Sequence, residues 1–198
     1  MTAEPEPSAT EPPIPGSPVR PVFTLPKTVA LVGLMGVGKT TIGRRLADHF
    51  GLPFVDADEE IEKAAGMTIA DIFANYGEKG FRDGEQRVIA RLLEGEPRIL
   101  ATGGGAILDP DNRQWLAARG YVVYLHASIE QQLARTERTD TRPLLQGGNR
   151  RDTLERLFLT RDPLYREIAD LVLPTDGRNA RALAREIEEH LGRTASAP

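Results

Sequence analysis

Residues Gly33-Leu34-Met35-Gly36-Val37-Gly38-Lys39-Thr40 match the pattern G-x-x-x-x-G-K-[ST] at every fixed position. The apolar run Val29-Ala30-Leu31-Val32 leads into it, and the amphipathic stretch from Thr41 to Phe50 follows. A strand must therefore deliver the chain to a tight glycine turn, and a helix must leave that turn with its first N–H groups aimed back at it. Glycines let backbone N–H groups turn inward around phosphate oxygens. The helix N-terminus adds partial positive charge. Gly36, Val37, Gly38, Lys39, Thr40 and Thr41 are thus the expected contacts to a nucleoside triphosphate. Lys39 is expected to reach the β- and γ-phosphates, and the Thr40 hydroxyl to ligate Mg²⁺.

Beyond this loop, short apolar runs alternate with amphipathic stretches. Strands are expected over 29–34, 52–55, 98–101, 121–125 and 171–173. Helices are expected over 41–50, 59–65, 81–94, 110–119, 128–135, 152–165 and 179–191, with a further one opened at Thr68 and broken at Gly77. Thr68 and Asp71 have the spacing of a capping box, and Asp109-Pro110 places a cap before a proline at the first helical position. Strand–helix alternation implies right-handed crossovers and a mainly parallel sheet covered on both faces. Ligands of such sheets lie at the carboxyl ends of the strands.

Three of these strands end in chemically suggestive residues. The first runs into the glycine loop, the second into Asp56-Ala57-Asp58, and the third into Thr102-Gly103-Gly104-Gly105. Residues i and i+2 of an extended chain point the same way, so Asp56 and Asp58 are expected to face one site. Phosphoryl transfer needs an oxygen ligand for the metal and a base for the acceptor hydroxyl. One of the two is also expected to cap the helix that follows. No apolar run ends in a separate aspartate of the Walker-B kind, which leaves Asp56 for the metal. Three successive glycines suit either a flexible turn or close approach of another group to the backbone. Arg82, Arg142 and Arg161 are the arginines placed to meet anions, as guanidinium forks match carboxylates and phosphates.

The chain has 198 residues, a net charge of −4 and no cysteine. That length suits one α/β domain, and the charge gives no footprint for nucleic acid or a membrane. The absence of cysteine excludes disulfides, thiolate metal sites and a thiol nucleophile, and fits a cytoplasmic setting. Residues 1–26 are rich in Pro, Glu, Ser and Thr and are expected to be a disordered tail. The folded domain is expected over 27–193, with a flexible end at 194–198. The polar, aperiodic stretch at about 136–150, containing Gly147-Gly148, is expected to be a mobile lid.

With these residues assembled, the sequence resembles the shikimate kinases. The motifs that carry the resemblance are the glycine loop at 33–43, Phe-Val-Asp-Ala-Asp-Glu-Glu-Ile-Glu at 54–62 and Gly-Glu-Lys-Gly-Phe-Arg-Asp-Gly-Glu at 77–85. Ala-Thr-Gly-Gly-Gly-Ala at 101–106, Arg-Pro-Leu-Leu at 142–145 and Arg-Asp-Pro-Leu-Tyr-Arg at 161–166 complete the set. The resemblance implies a P-loop three-layer αβα sandwich with a five-stranded parallel sheet and a lid. It implies ATP-dependent phosphorylation of the 3-hydroxyl of shikimate by a monomeric enzyme. Carried over by motif, Asp58 holds the acceptor hydroxyl and is the candidate base. Arg82 and Arg161 clamp the substrate carboxylate, lined by the backbone of Gly103, Gly104 and Gly105. Lys39, Thr40 and Asp56 serve phosphates and Mg²⁺, Arg142 is the lid arginine, and Arg135 and Arg178 flank adenine. The alternatives are a gluconate-type kinase and an ATP-binding module without turnover. Gly84, between Arg82 and Glu85, is a local departure expected to loosen the turn that carries Arg82.

Overall fold

The computed structural model describes residues 27–136 and 149–195. The expected tail at 1–26, residues 137–148 of the expected lid with Arg142, and residues 196–198 lie outside the described residues. The elements run β1 (Thr28–Val32), α1 (Lys39–Phe50), β2 (Phe54–Asp56), α2 (Ala57–Ala65) and α3 (Ile69–Leu92). Next come β3 (Ile99–Ala101), a 3₁₀ turn (Ala106–Leu108), α4 (Pro110–Arg119) and β4 (Gly120–His126). The order closes with α5 (Ile129–Thr136), α6 (Arg150–Ile168), β5 (Leu171–Pro174) and α7 (Ala180–Ala195).

The five strands form one sheet in the order β2-β3-β1-β4-β5, with every neighbouring pair parallel. β1 is central; Leu31 stands opposite Ala101 on one side and Val123 on the other. All of β1 and β3 is buried, as expected of strands covered by helices on both faces. The step from β1 to β2 crosses the sheet in one direction, and every later step runs in the other. With crossovers of one hand, that reversal puts α1 on the face opposite α3, α4 and α6. The packing agrees: α1 lies against α7, while α4 lies against α3 and α6. The loops after β1 and β3 therefore diverge, which opens a crevice at their carboxyl ends.

Local chemistry explains where the elements begin. Asp56 starts α2 two residues earlier than the apolar pattern suggests, because its carboxylate accepts the Asp58 N–H at 3.1 Å. Asp58 is consequently helical, and the expectation that it and Asp56 share an extended face is corrected. Thr68 caps α3, its hydroxyl accepting the Asp71 N–H at 3.2 Å and donating to the Asp71 carboxylate at 2.6 Å. Gly77 interrupts α3 with φ of 67°, conformationally open to glycine alone at little cost. Gly84 lies within the helix beyond it. Asn149 caps α6, which runs on past Pro163 to Ile168. Among the described residues, no helix is long and apolar enough to cross a membrane.

Candidate functional site

The glycine loop closes against the end of β4. Gly33, Gly36 and Gly38 all have positive φ, and a Cβ at Gly33 would lie 2.2 Å from the Leu125 carbonyl oxygen. No other residue fits there. Lys39 opens α1 and folds its side chain back over the loop, donating to the carbonyls of Gly33 at 2.7 Å and Leu34 at 3.0 Å. The Thr40 hydroxyl donates to Asp56 Oδ2 at 3.3 Å. A hydroxyl beside a carboxylate is an oxygen donor set that suits Mg²⁺, which takes few protein ligands and completes its shell with phosphate and water. Among the described residues, no group of three His, Cys, Asp or Glu side chains could hold a metal by itself.

The three glycines after β3 are not merely a flexible turn, because none has a positive φ. Gly103 and Gly105 are instead slots for charged side chains. A Cβ at Gly103 would lie 2.6 Å from Asp58 Oδ1, and one at Gly105 would lie 2.6 Å from both terminal nitrogens of Arg82. At Gly104 it would meet only ordinary contacts, 3.6 Å from the Gly33 carbonyl oxygen and 3.7 Å from Arg161 Nη1. Asp58, Arg82 and Arg161 come from α2, α3 and α6 respectively, so the turn gathers three remote helices.

Each arginine is held. Arg82 donates to Glu85 Oε2 at 2.6 Å, lies within 3.5 Å of Glu78, and rests over the Phe81 ring. Glu85 is buried, 1% exposed, and its other oxygen stands 3.2 Å from the Gly103 Cβ position beside Asp58. Burial raises the Glu85 carboxyl above the ordinary range; the Arg82 charge and hydrogen bond oppose the shift, and the Asp58 charge adds to it. Arg161, 6% exposed, donates to the Gly104 carbonyl at 2.9 Å. That carbonyl also accepts the Tyr165 hydroxyl at 2.6 Å. Burial foremost, and the Arg82 charge, lower the Arg161 guanidinium below its usual value, yet a guanidinium remains protonated in a protein. The result is a cation pair on the wall of the crevice, suited to a small carboxylate.

Arg135 and Arg178 meet the loop after β5. Arg135 donates to the Gly36 carbonyl at 3.0 Å and to Thr175 Oγ1 and O, each at 3.2 Å. Arg178 donates to the Pro174 carbonyl and pairs with Glu186. The structure thus brings Lys39, Thr40, Asp56, Asp58, Arg82, Arg161 and the glycines to one edge of the sheet, with Arg135 behind the loop and Arg178 beyond it. Glu85 and Tyr165 had no role assigned from sequence. Their signals were the helical offsets from Arg82 and Arg161, three and four residues.

The family model described as shikimate kinase matches residues 35–192. The shikimate kinase of Pseudomonas savastanoi pv. phaseolicola (strain 1448A / Race 6) is 52% identical over 172 residues, 87% of this chain and 98% of that protein. The shikimate kinase of Stenotrophomonas maltophilia (strain R551-3) is 56% identical over 146 residues, 74% of this chain and 81% of that protein. A solved structure, shikimate kinase from Acinetobacter baumannii in complex with shikimate, superposes with a TM-score of 0.83 at 44% identity. That match covers 89% of this chain and 97% of the other.

Proposed function

The chain belongs to the shikimate kinase family, and we propose that its residues divide the transfer of the ATP γ-phosphate to the 3-hydroxyl of shikimate as follows. The observation that carries the assignment is the glycine turn, where one carboxylate and two guanidinium groups converge beside the phosphate loop. Arg82 and Arg161 receive the shikimate carboxylate as a charge-assisted pair. Asp58 orients the acceptor hydroxyl and takes its proton as the oxygen attacks the γ-phosphorus. The bond from that phosphorus to the β-phosphate bridging oxygen breaks, leaving ADP and shikimate 3-phosphate. Lys39 exchanges the Gly33 and Leu34 carbonyls for phosphate oxygens. Thr40 and Asp56 hold Mg²⁺, which supplies neutralising charge to the β- and γ-phosphates. Arg142 acts from the lid, and Arg135 and Arg178 border the adenine.

The test is ADP release from MgATP with purified protein, with shikimate, with gluconate and with neither. Shikimate-dependent turnover is expected; turnover with gluconate alone would overturn the substrate assignment. Asp58→Asn should lower kcat by about 100-fold or more while ATP binding, followed by calorimetry, stays near wild type. An unchanged kcat removes Asp58 from the chemistry. Arg161→Ala should raise KM for shikimate by about 10- to 100-fold; a normal KM would sink the clamp.

A further inference from the structure

Arg161 lies on α6 in a turn that is short of one helical hydrogen bond. Pro163 has no N–H, so the Leu159 carbonyl lacks its donor four residues on. The rotation of this turn about the helix axis, and with it the aim of Arg161, is braced from outside the helix. One support is the Gly104 carbonyl, which accepts from both Arg161 and Tyr165. A second stands about 100° further round the helix, at Asp162 and Arg166. Asp162 Oδ1 accepts the Tyr124 hydroxyl of β4 at 2.8 Å, and Oδ2 accepts Arg166 Nε at 2.8 Å. Arg166 lies over the Tyr124 ring, and Tyr124 stacks on Tyr165 at 4.8 Å between centroids. Tyr124 is 1% exposed, so its hydroxyl would be destabilising if left without a partner.

We propose that Asp162 and Tyr124 are positioning residues that lock the rotation of α6 to β4 and so hold Arg161 in register with the acceptor carboxylate. Neither residue touches the crevice chemistry; they act through Arg161. The lock is built of a strand, a proline-weakened helix turn and one carboxylate with both oxygens engaged. Burial works to raise the Asp162 carboxyl, but the hydrogen bonds from Arg166 and Tyr124, with the charges of Arg166 and His126, bring it below the ordinary range. The carboxylate is therefore ionised, and a double acceptor, at neutral pH. The proposal rests on the reading of Arg161 as a carboxylate clamp.

Steady-state kinetics on the full chain test it. Tyr124→Phe keeps the ring stack and removes only the O–H; Asp162→Ala removes the tether. Each should raise KM for shikimate by about five- to thirtyfold, the scale of one hydrogen bond, with KM for ATP and kcat within about twofold of wild type. Asp162→Glu should recover part of the loss. In an Arg161→Ala background, Tyr124→Phe should have no further effect on KM for shikimate, because the cycle isolates coupling between the two sites. Unchanged KM for shikimate in a folded, active Tyr124→Phe, or additive effects in the double variant, would overturn the proposal. Wild-type protein without shikimate-dependent turnover would instead overturn the functional reading on which it stands.

Discussion

At the scale of single residues, the site depends on the side chains missing at Gly103 and Gly105. Gly105→Ala adds a Cβ 2.6 Å from both Arg82 terminal nitrogens, at a φ of −97° that alanine accepts without strain. The backbone should stay and the guanidinium should move, raising KM for shikimate about tenfold or more with the melting temperature little changed; an unchanged KM would show that Arg82 has room to spare. Glu85 supplies a pH dependence. Its carboxyl is raised above the ordinary range, so it loses its charge, and Arg82 loses its anion, while pH is still above that range. Around it stand Asp58, Arg82, Arg161, Tyr165 and Asp109. kcat/KM for shikimate should therefore fall on the acid side earlier than an ordinary carboxylate predicts, and Glu85→Gln should flatten that limb. The linkage to stability has the opposite sign. A carboxyl bound more tightly by its proton in the fold contributes stability below the unfolded value, and loses it as pH rises through the folded value. The sequence left Gly103–Gly105 open between a hinge and a close approach. The partners that decide it come from α2, α3 and α6, and no local pattern announces them.

Helices and strands were legible wherever apolar period and punctuation agreed. All five strands and every helix start marked by a cap stand close to where the sequence places them. The exception, Asp56–Asp58, turned on a rivalry between strand and cap. Its carboxylate satisfies an N–H that would otherwise be orphaned, and this outweighs two more residues of strand. The same chemistry makes α3 testable away from the crevice. Thr68→Ala removes a hydroxyl engaged both as donor and as acceptor with Asp71. It should lower stability by about 1 kcal/mol, or roughly 2–4 °C in Tm for a chain of this size, with kcat unaltered. A drop in kcat would mean that the cap also sets the angle of Arg82.

Across the whole molecule, strand order is the link between fold and chemistry. Placing β3 between β1 and β2 brings the glycine turn alongside the phosphate loop, although about 65 residues separate them in sequence. Alternating elements announced a parallel sheet, but they do not carry its order; only pairing across long separations fixes that. The sheet must hold α1 closely for the loop to work. A Cβ at Gly43 would lie 2.5 Å from the Phe54 ring and 3.1 Å from Leu31 Cδ1. Gly43→Ala should thus cost about 1–3 kcal/mol by overpacking and raise KM for ATP as α1 lifts; thermal melts and ATP kinetics read the two effects separately. The turn at Gly103–Gly105 also bears on how such a molecule can change its diet. Its notches at Gly103 and Gly105 receive groups from α2 and α3, and its Gly104 carbonyl holds two from α6, so one turn seats three helices. Retuning would have to re-angle whole helices together, and a single residue inserted in that turn would throw all three out of step at once.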